Sequence, residues 1–365
     1  MAELCQMYGI SRPTGYKWWR RYQEGGLEAL AELDRAPRRH PNAMPREVGE
    51  LLLAARRAPG RWGPRKLRAW LASKRPERRW PATSTIGALL RREGLTVPQR
   101  RKRRTPPYSE PFKSVQESNA VWCIDFKGWF RTQDGERCDP LTISDGWSRY
   151  VLRCQALAGA NGEQVRAVME AAFREYGLPG AIRSDNGSPF AGHGLGGLSR
   201  LSVWWIKLGI VPERIAPGRP DQNGRHERMH RTLKGETAKP PKANRRAQQR
   251  AFDRFRAEYN EERPHEALGL QTPASVYIVS PRPYPTRLPA IEYPDGVIVR
   301  RVQPHGQISW KHREVFVSEA LALEWVGLAA IDEGHYRLCF GPIELGVFDA
   351  KQLTIQPTVA KQVAR

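Results

Sequence analysis

The chain has 365 residues, of which 40% are apolar, and its formal net charge is +22 with an isoelectric point of about 10.3. This length suits two to four domains, and the excess of positive charge favours a polyanionic partner. No apolar run approaches the roughly 18 residues of a membrane span, and the scattered cysteines lack the spacing of a zinc ribbon or a disulfide framework, so we expect reduced thiols in a cytosolic protein without a membrane partner.

Residues 1–36 carry the first predicted element, a helix-turn-helix. A-E-L-C-Q-M-Y-G predicts the first helix, I-S-R-P-T-G the turn and Y-K-W-W-R-R-Y-Q-E the second helix, which in such units enters the major groove of DNA. These units normally have three helices, so we expect this one to lack its first. A short solvated helical hairpin is the alternative. The residues expected to contact bases or phosphates are Arg12, Thr14, Lys17, Arg20 and Arg21.

Residues 37–98 predict a second helix-turn-helix domain. Arg46 to Arg57 is amphipathic, Gly63-Pro64 is typical of a helix start, and Ala82-Thr83-Ser84-Thr85 is expected to cap a third helix. Together with the first unit this predicts an all-α, DNA-binding amino-terminal region. Residues 1–105 hold 25 Lys and Arg against 9 Asp and Glu, a net charge of +16, so this region is the expected DNA anchor.

Residues 99–118 form a basic linker between the helical region and the rest of the chain. We expect its cations to follow DNA phosphates or a minor groove, which is compatible with a disordered, solvated tether. The linker cations assigned to DNA are Arg101, Lys102, Arg103 and Arg104.

Residues 119–280 predict an α/β domain, because antiparallel strands come first and crossover helices follow. The expected result is a mixed five-stranded sheet covered by helices. Asp145-Gly146 is a hairpin signal between two of the strands. In residues 281–365, short strands around glycines predict a small β-barrel. The predicted strands of the sheet are Ala120 to Lys127, Pro140 to Ser144, Ser148 to Gln155, the strand that ends at Asp185, and Ile210 to Ile215.

Three acidic residues of the α/β domain are candidates for one shared site. Asp125 lies in the middle of the strand W-C-I-D-F-K, where a lone charge is unfavourable. Asp185 ends a strand immediately before a turn, at the carboxyl end where open α/β sheets carry their sites. Glu227 lies near the start of a predicted helix. Clustered carboxylates repel one another unless cations lie between them, and such hard oxygen ligands favour Mg²⁺ or Mn²⁺. The pattern therefore predicts a metal-dependent enzyme that acts on phosphodiesters.

The helix of Glu227 also carries two cations on the side of the carboxylate. Arg231 and Lys234 follow Glu227 by four and seven residues, and we expect them to hold the DNA backbone beside the metals. His226, Arg228 and His230 are expected as secondary DNA contacts. The alternative is that Glu227 and Arg231 form only an exposed ion pair. Two further acids need no metal, because Asp145 is explained by its hairpin turn and Asp139 by the proline that follows it.

Four segments, in this order, resemble the DDE transposases of bacterial insertion sequences, whose ribonuclease-H-like core is shared with retroviral integrases. They are W-C-I-D-F-K-G, S-D-N-G-S-P-F, G-R-P-D-Q-N-G-R-H-E and Y-N-E-E-R-P-H-E-A-L. The resemblance implies that Asp125, Asp185 and Glu227 are both the catalytic residues and the ligands of two Mg²⁺ or Mn²⁺ ions. The interval between Asp185 and Glu227 is longer than in retroviral integrases, and helix-turn-helix units replace their zinc module.

The resemblance implies a bacterial, nucleoid-associated cytoplasmic protein that acts on double-stranded DNA. It would bind insertion-sequence ends, cleave strands by hydrolysis and then join the free 3′ hydroxyl to target DNA, as a homo-oligomer that brings two ends together. A non-enzymatic helix-turn-helix regulator with a relic core is the alternative from another class. A nuclease that cuts without joining is a second alternative.

Overall fold

The computed structural model describes residues 1–32, 43–57, 62–96, 115–192, 194–215 and 224–358. By contacts between residues the chain divides into two compact units, Met1–Glu50 and Leu51–Arg365. The predicted linker cations at positions 101–104 lie outside the described residues. No helix in the described ranges is both long and apolar enough to cross a membrane.

The first unit contains the predicted helix-turn-helix. Helix α1 (Ala2–Met7) is followed by α2 (Arg12–Gly25), whose start is capped by the Ser11 hydroxyl as it accepts a bond from the backbone N–H of Thr14. Gly15 lies so close to the buried thiol of Cys5 that a Cβ at this position would collide with it. The absence of a side chain at Gly15 therefore lets the two helices approach.

Three further helices follow in the second predicted DNA-binding region. They are α3 (Arg46–Arg57), α4 (Pro64–Lys74) and α5 (Thr83–Arg92). Gly63 precedes α4 with Pro64 in its first turn, as predicted. The predicted cap of α5 is wrong, because the residue before the helix is Ala82, which makes no side-chain cap bond, and Thr83 is already helical. Buried Leu67, Leu71, Ile86 and Leu90 form the core of α4 and α5.

A mixed sheet forms the centre of the second unit. Its strands are β1 (Val121–Phe126), β2 (Phe130–Arg131), β3 (Arg137–Asp145), β4 (Val151–Leu157), β5 (Ala181–Ser184) and β6 (Val211–Arg214). The order is β2-β3-β1-β5-β6, with β4 also paired to β3. Strands β1, β3 and β4 are antiparallel neighbours, whereas β1, β5 and β6 run parallel. All five predicted strands are present, and the two-residue β2 makes the sheet six-stranded instead of five-stranded.

Helices cover both faces of this sheet. They are α6 (Gly162–Tyr176), α7 (Arg200–Lys207), α8 (Gly224–Thr237), α9 (Arg245–Ala257) and the short α10 (Pro273–Val276). Side chains of α6 and α7 pack with Trp122 and Ile124 of β1 in one buried cluster. Side chains of α8 and α9 form a second cluster with β4. Since successive side chains of a strand point to opposite faces, Asp125 lies on the face away from Trp122 and Ile124.

The carboxyl-terminal part is an open sheet with a separate hairpin. Its strands are β7 (Ile298–Arg301), β8 (Gln307–Trp310), β9 (Arg313–Phe316), β10 (Trp325–Asp332), β11 (His335–Phe340), β12 (Ile343–Asp349) and β13 (Thr354–Pro357). The sheet order is β13-β12-β11-β10-β7, and β8 pairs only with β9 among the described strands. The predicted barrel is not confirmed, because the hairpin covers the sheet through apolar packing and does not continue its hydrogen-bond ladder.

Candidate active site

Asp125 lies on the central strand of the mixed sheet and lines a cavity. Its side chain is 21% exposed, and β3 and β5 flank its strand. The cavity has a volume of about 480 Å³. The residues that line it are Asp125, Phe126, Lys127, Glu227, His230, Arg231, Lys234, Gly235 and Lys239. The cavity therefore combines two of the predicted carboxylates with four cations.

Asp185 immediately follows β5, the parallel neighbour of β1. Cys123 is aligned with Arg183 in this pair, so continuing the register by two residues brings Asp185 alongside Asp125. The carboxylate of Asp185 accepts a bond of 3.1 Å from the backbone N–H of Gly187, and the Asn186 amide donates to the carbonyl of Ile215 at 2.8 Å. These bonds fix the turn after β5 and leave Asp185 exposed at the end of the strand.

Glu227 lies in the first turn of α8 and is exposed. Helix α8 is anchored by Met229 and Leu233, which are buried against α9 and the sheet. This packing turns the opposite side of the helix toward the cavity, where Arg231 and Lys234 join Glu227. The predicted placement of these two cations beside Glu227 is therefore observed in the structure.

The pKa of Asp125 depends on the two other predicted acids. Burial and the adjacent negative charge of Asp185 raise the pKa of Asp125 to about 7, and Glu227 adds to the effect in the same direction. The backbone N–H of Phe126 and the ammonium of Lys127 oppose it. Asp185 and Glu227 thus both act electrostatically on Asp125. Their repulsion of its charge, together with a donor set of hard carboxylate oxygens, fits a divalent cation.

A buried hydrogen-bond network lies behind Asp125 and was missed by the sequence analysis. The hydroxyl of Thr142, opposite Asp125 on β3, is 2.6 Å from Nε2 of His226 and 2.6 Å from Nε2 of His230. Nδ1 of His226 is 2.9 Å from the hydroxyl of Ser144. Their spacing of four residues on one helix face was a usable signal, but their partners on β3 become visible only in the fold.

Both histidines are neutral interior groups and not DNA contacts on the surface. His226 is 2% exposed and His230 is 3% exposed. Burial lowers the pKa of His226 to about 3, and burial, His226 and Lys127 lower the pKa of His230 below its ordinary value. The expected secondary DNA contacts at these two positions are therefore wrong. Asp125, His226 and His230 instead form a cluster whose potential ligand atoms lie within 4.8 Å of one another.

The two acids that the sequence assigned to structural roles are used elsewhere. Asp145 accepts bonds from the backbone N–H groups of Asn119 at 2.7 Å and Ser148 at 2.8 Å, as its turn requires. Asp139 is 4% exposed and forms an ion pair with Arg137 at 2.6 Å. Neither acid lines the cavity.

The predicted DNA contacts of the first unit lie along α2. Arg12, Lys17 and Arg20 are exposed, and Thr14 is half-buried beside Ser11. Arg21 has a structural role as well, since its guanidinium stacks over Trp18 at 4.7 Å and donates to the carbonyl of Ala31 at 2.6 Å. Their contacts with DNA stay predictions.

Comparison with known proteins agrees with this architecture. Residues 115–220 and 208–273 match models described as integrase core domain, and residues 14–90 match a homeodomain-like domain. An uncharacterized 31.7 kDa protein of insertion element IS407 from Burkholderia multivorans is 30% identical over 191 residues, which are 52% of this chain and 66% of that protein. InsD of insertion element IS2E from Escherichia coli (strain K12) is 31% identical over 170 residues, 44% of this chain and 74% of that protein.

Among solved structures, the catalytic core domain of HTLV-2 integrase in complex with magnesium is 14% identical, with a TM-score of 0.35 over 44% of this chain and 98% of that one. The sequence relatives define the class: the chain belongs to the insertion-sequence transposases with an integrase core. It spans 66% of the length of the IS407 relative.

Proposed function

We propose that this chain binds the ends of an insertion sequence and carries out divalent-metal-dependent cleavage and strand transfer of DNA. The observation that carries the proposal is the cavity in which Asp125 and Glu227 lie among four cations, with Asp185 at the neighbouring strand end. Carboxylates that repel one another in the free protein are suited to hold cations. The lysine and arginine side chains that line the same cavity are suited to hold phosphates.

Asp125, Asp185 and Glu227 would hold the ions, which we propose to be two Mg²⁺ or Mn²⁺ per site. Asp125 lies on the central strand, and both other acids affect its charge, so we propose that it would be the principal ligand of the ions. Divalent ions bound there would supply Lewis-acid activation of the phosphodiester and of the attacking oxygen. We assign no serine, cysteine or tyrosine nucleophile, so one geometry would serve both hydrolysis and joining.

The cations of the cavity would position the DNA. Arg231 and Lys234 are exposed on α8 next to Glu227, and Lys127 follows the Asp125 strand directly. Side chains in these places can neutralise the phosphates on either side of the scissile bond. They can also hold the DNA strand in a single position relative to the metal site. Their contribution would be to binding and orientation, without exchange of a proton with the substrate.

Recognition of the ends would come from the amino-terminal helices. The exposed cations of α2 and the homeodomain-like match over residues 14–90 support this assignment. Because one site cannot readily process two ends, we infer a homo-oligomer on DNA, which acts at the bacterial nucleoid.

A strand-transfer assay tests the proposal. The full chain is incubated with Mg²⁺, a target plasmid and duplex DNA that carries the end of its own element with a pre-cleaved 3′ terminus, and the junctions are sequenced. We expect joining by the wild type and none by Asp125→Asn or Glu227→Gln, while both variants still bind the end. Asp253→Asn is the matched control, since Asp253 is an exposed acid of α9 outside the cavity.

Three results separate the alternatives. Cutting of intact ends without joining of pre-cleaved ends would identify a nuclease. End binding without cutting, joining or divalent-metal binding would identify a regulator. Loss of folding or of end binding in Asp125→Asn would indicate that this carboxylate has a structural role.

A further inference from the structure

The hydroxyl of Thr142 determines where the protons of the two buried histidines lie. A hydroxyl has one proton to donate and two lone pairs that accept. The Thr142 hydroxyl donates to the backbone carbonyl of Asp125 at 3.2 Å, and its two remaining contacts are the Nε2 atoms of His226 and His230, both at 2.6 Å. All three contacts are satisfied when both imidazoles donate from Nε2, which leaves a lone pair on each Nδ1.

The two Nδ1 lone pairs have different surroundings. Nδ1 of His226 accepts from the hydroxyl of Ser144 at 2.9 Å and is therefore fully used. Nδ1 of His230 faces the carboxylate of Asp125, with 3.7 Å between Nδ1 and Oδ2. His230, unlike His226, also lines the cavity. An electron pair and a carboxylate oxygen thus face each other at the cavity wall with no proton between them.

This contact is too long for a hydrogen bond and close to the spacing of two ligands on one ion. A hydrogen bond from N–H to oxygen spans about 2.7–3.2 Å. Two donors that each lie about 2.1 Å from the same cation are separated by roughly 3.0–3.5 Å. The observed separation of 3.7 Å needs only a small closing movement to reach that range.

We propose that His230 is a ligand, through Nδ1, of the divalent ion that Asp125 holds. The inference rests on the proposed metal site and adds a nitrogen donor to its three carboxylates. Thr142 and His226 are then positioning residues, because they fix the imidazole through Nε2, as an outer partner does for many metal-binding histidines. A nitrogen donor favours Mn²⁺ over Mg²⁺ more than carboxylates alone do.

The test uses Mn²⁺ bound to the full chain and measures the magnetic coupling of the ion to nearby nitrogen nuclei by pulsed electron paramagnetic resonance. We expect a nitrogen coupling typical of a directly bound imidazole. Protein labelled with ¹⁵N only at histidine should replace the ¹⁴N signal with a ¹⁵N signal. This comparison needs no substitution, so it does not depend on the folding of a variant.

Two variants assign the signal. His230→Gln should lose the coupling and weaken Mn²⁺ binding by about tenfold or more, with a smaller loss for Mg²⁺. His226→Gln should keep the coupling. Bound Mn²⁺ without histidine coupling, or coupling that persists in His230→Gln, would overturn the inference and leave the carboxylate site intact. Failure to bind Mn²⁺ at all would refute the proposed metal site and the inference together.

Discussion

Asp125→Asn should stabilise the metal-free protein at alkaline pH while it removes metal binding. The pKa of Asp125 is raised from 3.8 to about 7 in the folded protein. Ionisation of this carboxyl group therefore costs the folded state nothing below pH 4, progressively more between pH 4 and 7, and the full amount above pH 7. The raised pKa corresponds to a loss of at most about 4 kcal/mol in the free energy of unfolding when Asp125 is ionised. Asparagine avoids this cost because it stays neutral at every pH.

The assay is thermal unfolding of the full chain in EDTA, with wild type and Asp125→Asn compared at pH 5 and pH 8. From the raised pKa we expect the substitution to increase the free energy of unfolding by about 2.5 kcal/mol more at pH 8 than at pH 5. Screening by solvent will reduce this difference. For a unit of this size the corresponding change in melting temperature is several degrees. A stability advantage of the variant that is absent at pH 8, or that is equal at both pH values, would refute the raised pKa of Asp125, which burial and then the charge of Asp185 cause.

Asp139→Asn is the matched control, because it removes the charge of another acid in the same sheet. Asp139 is 4% exposed and is paired with Arg137 at 2.6 Å. Its replacement should lower the melting temperature, since it removes a favourable ion pair and relieves no repulsion. The two substitutions thus have opposite predicted signs, which a general effect of removing negative charge cannot reproduce.

Three further outcomes are expected. Mg²⁺ at a hundredfold excess over its dissociation constant should stabilise the wild type by about 2.7 kcal/mol and leave the melting temperature of Asp125→Asn unchanged. Lys234→Ala should weaken binding to all DNA sequences alike and reduce the slope of log affinity against log salt by about one, as measured by fluorescence anisotropy. Gly177→Ala should destabilise the core by about 1–3 kcal/mol in chemical denaturation, because Gly177 has a φ of 74° and a Cβ would lie 2.7 Å from the carbonyl of Ser280.

Local sequence signals were sufficient for the parts of the site that depend on one element. The alternation of W-C-I-D-F-K predicts a buried strand with a charge in it, and Asp125 is found on the central strand. Asn186-Gly187 predicts a chain reversal after Asp185, and the turn is there. Helical spacing predicts that Arg231 accompanies Glu227, and both line the cavity.

Features that depend on contacts between two or more helices or strands were not predictable from these local signals. The network around Thr142 depends on the register of β3 against β1 and on the position of α8, neither of which a local pattern contains. The predicted barrel is not confirmed for a similar reason. Short strands around glycines predict strands, but whether a sheet closes depends on how its edges pair, and here the edges are β7 and β13.

The groups buried next to Asp125 are neutral, whereas the cations of the cavity lie nearer to solvent, and this arrangement fits the proposed chemistry of the site. In the interior, the imidazoles of His226 and His230 are kept neutral by burial, so they place no positive charge behind Asp125. Arg231 and Lys234, which also line the cavity, are exposed. Their charges therefore stay solvated until a phosphate replaces water. A protonated imidazole next to Asp125 would neutralise the carboxylate and weaken its attraction for a divalent ion. The burial of these histidines therefore preserves the negative charge of Asp125 for the metal, while the exposure of Arg231 and Lys234 leaves these cations available to DNA.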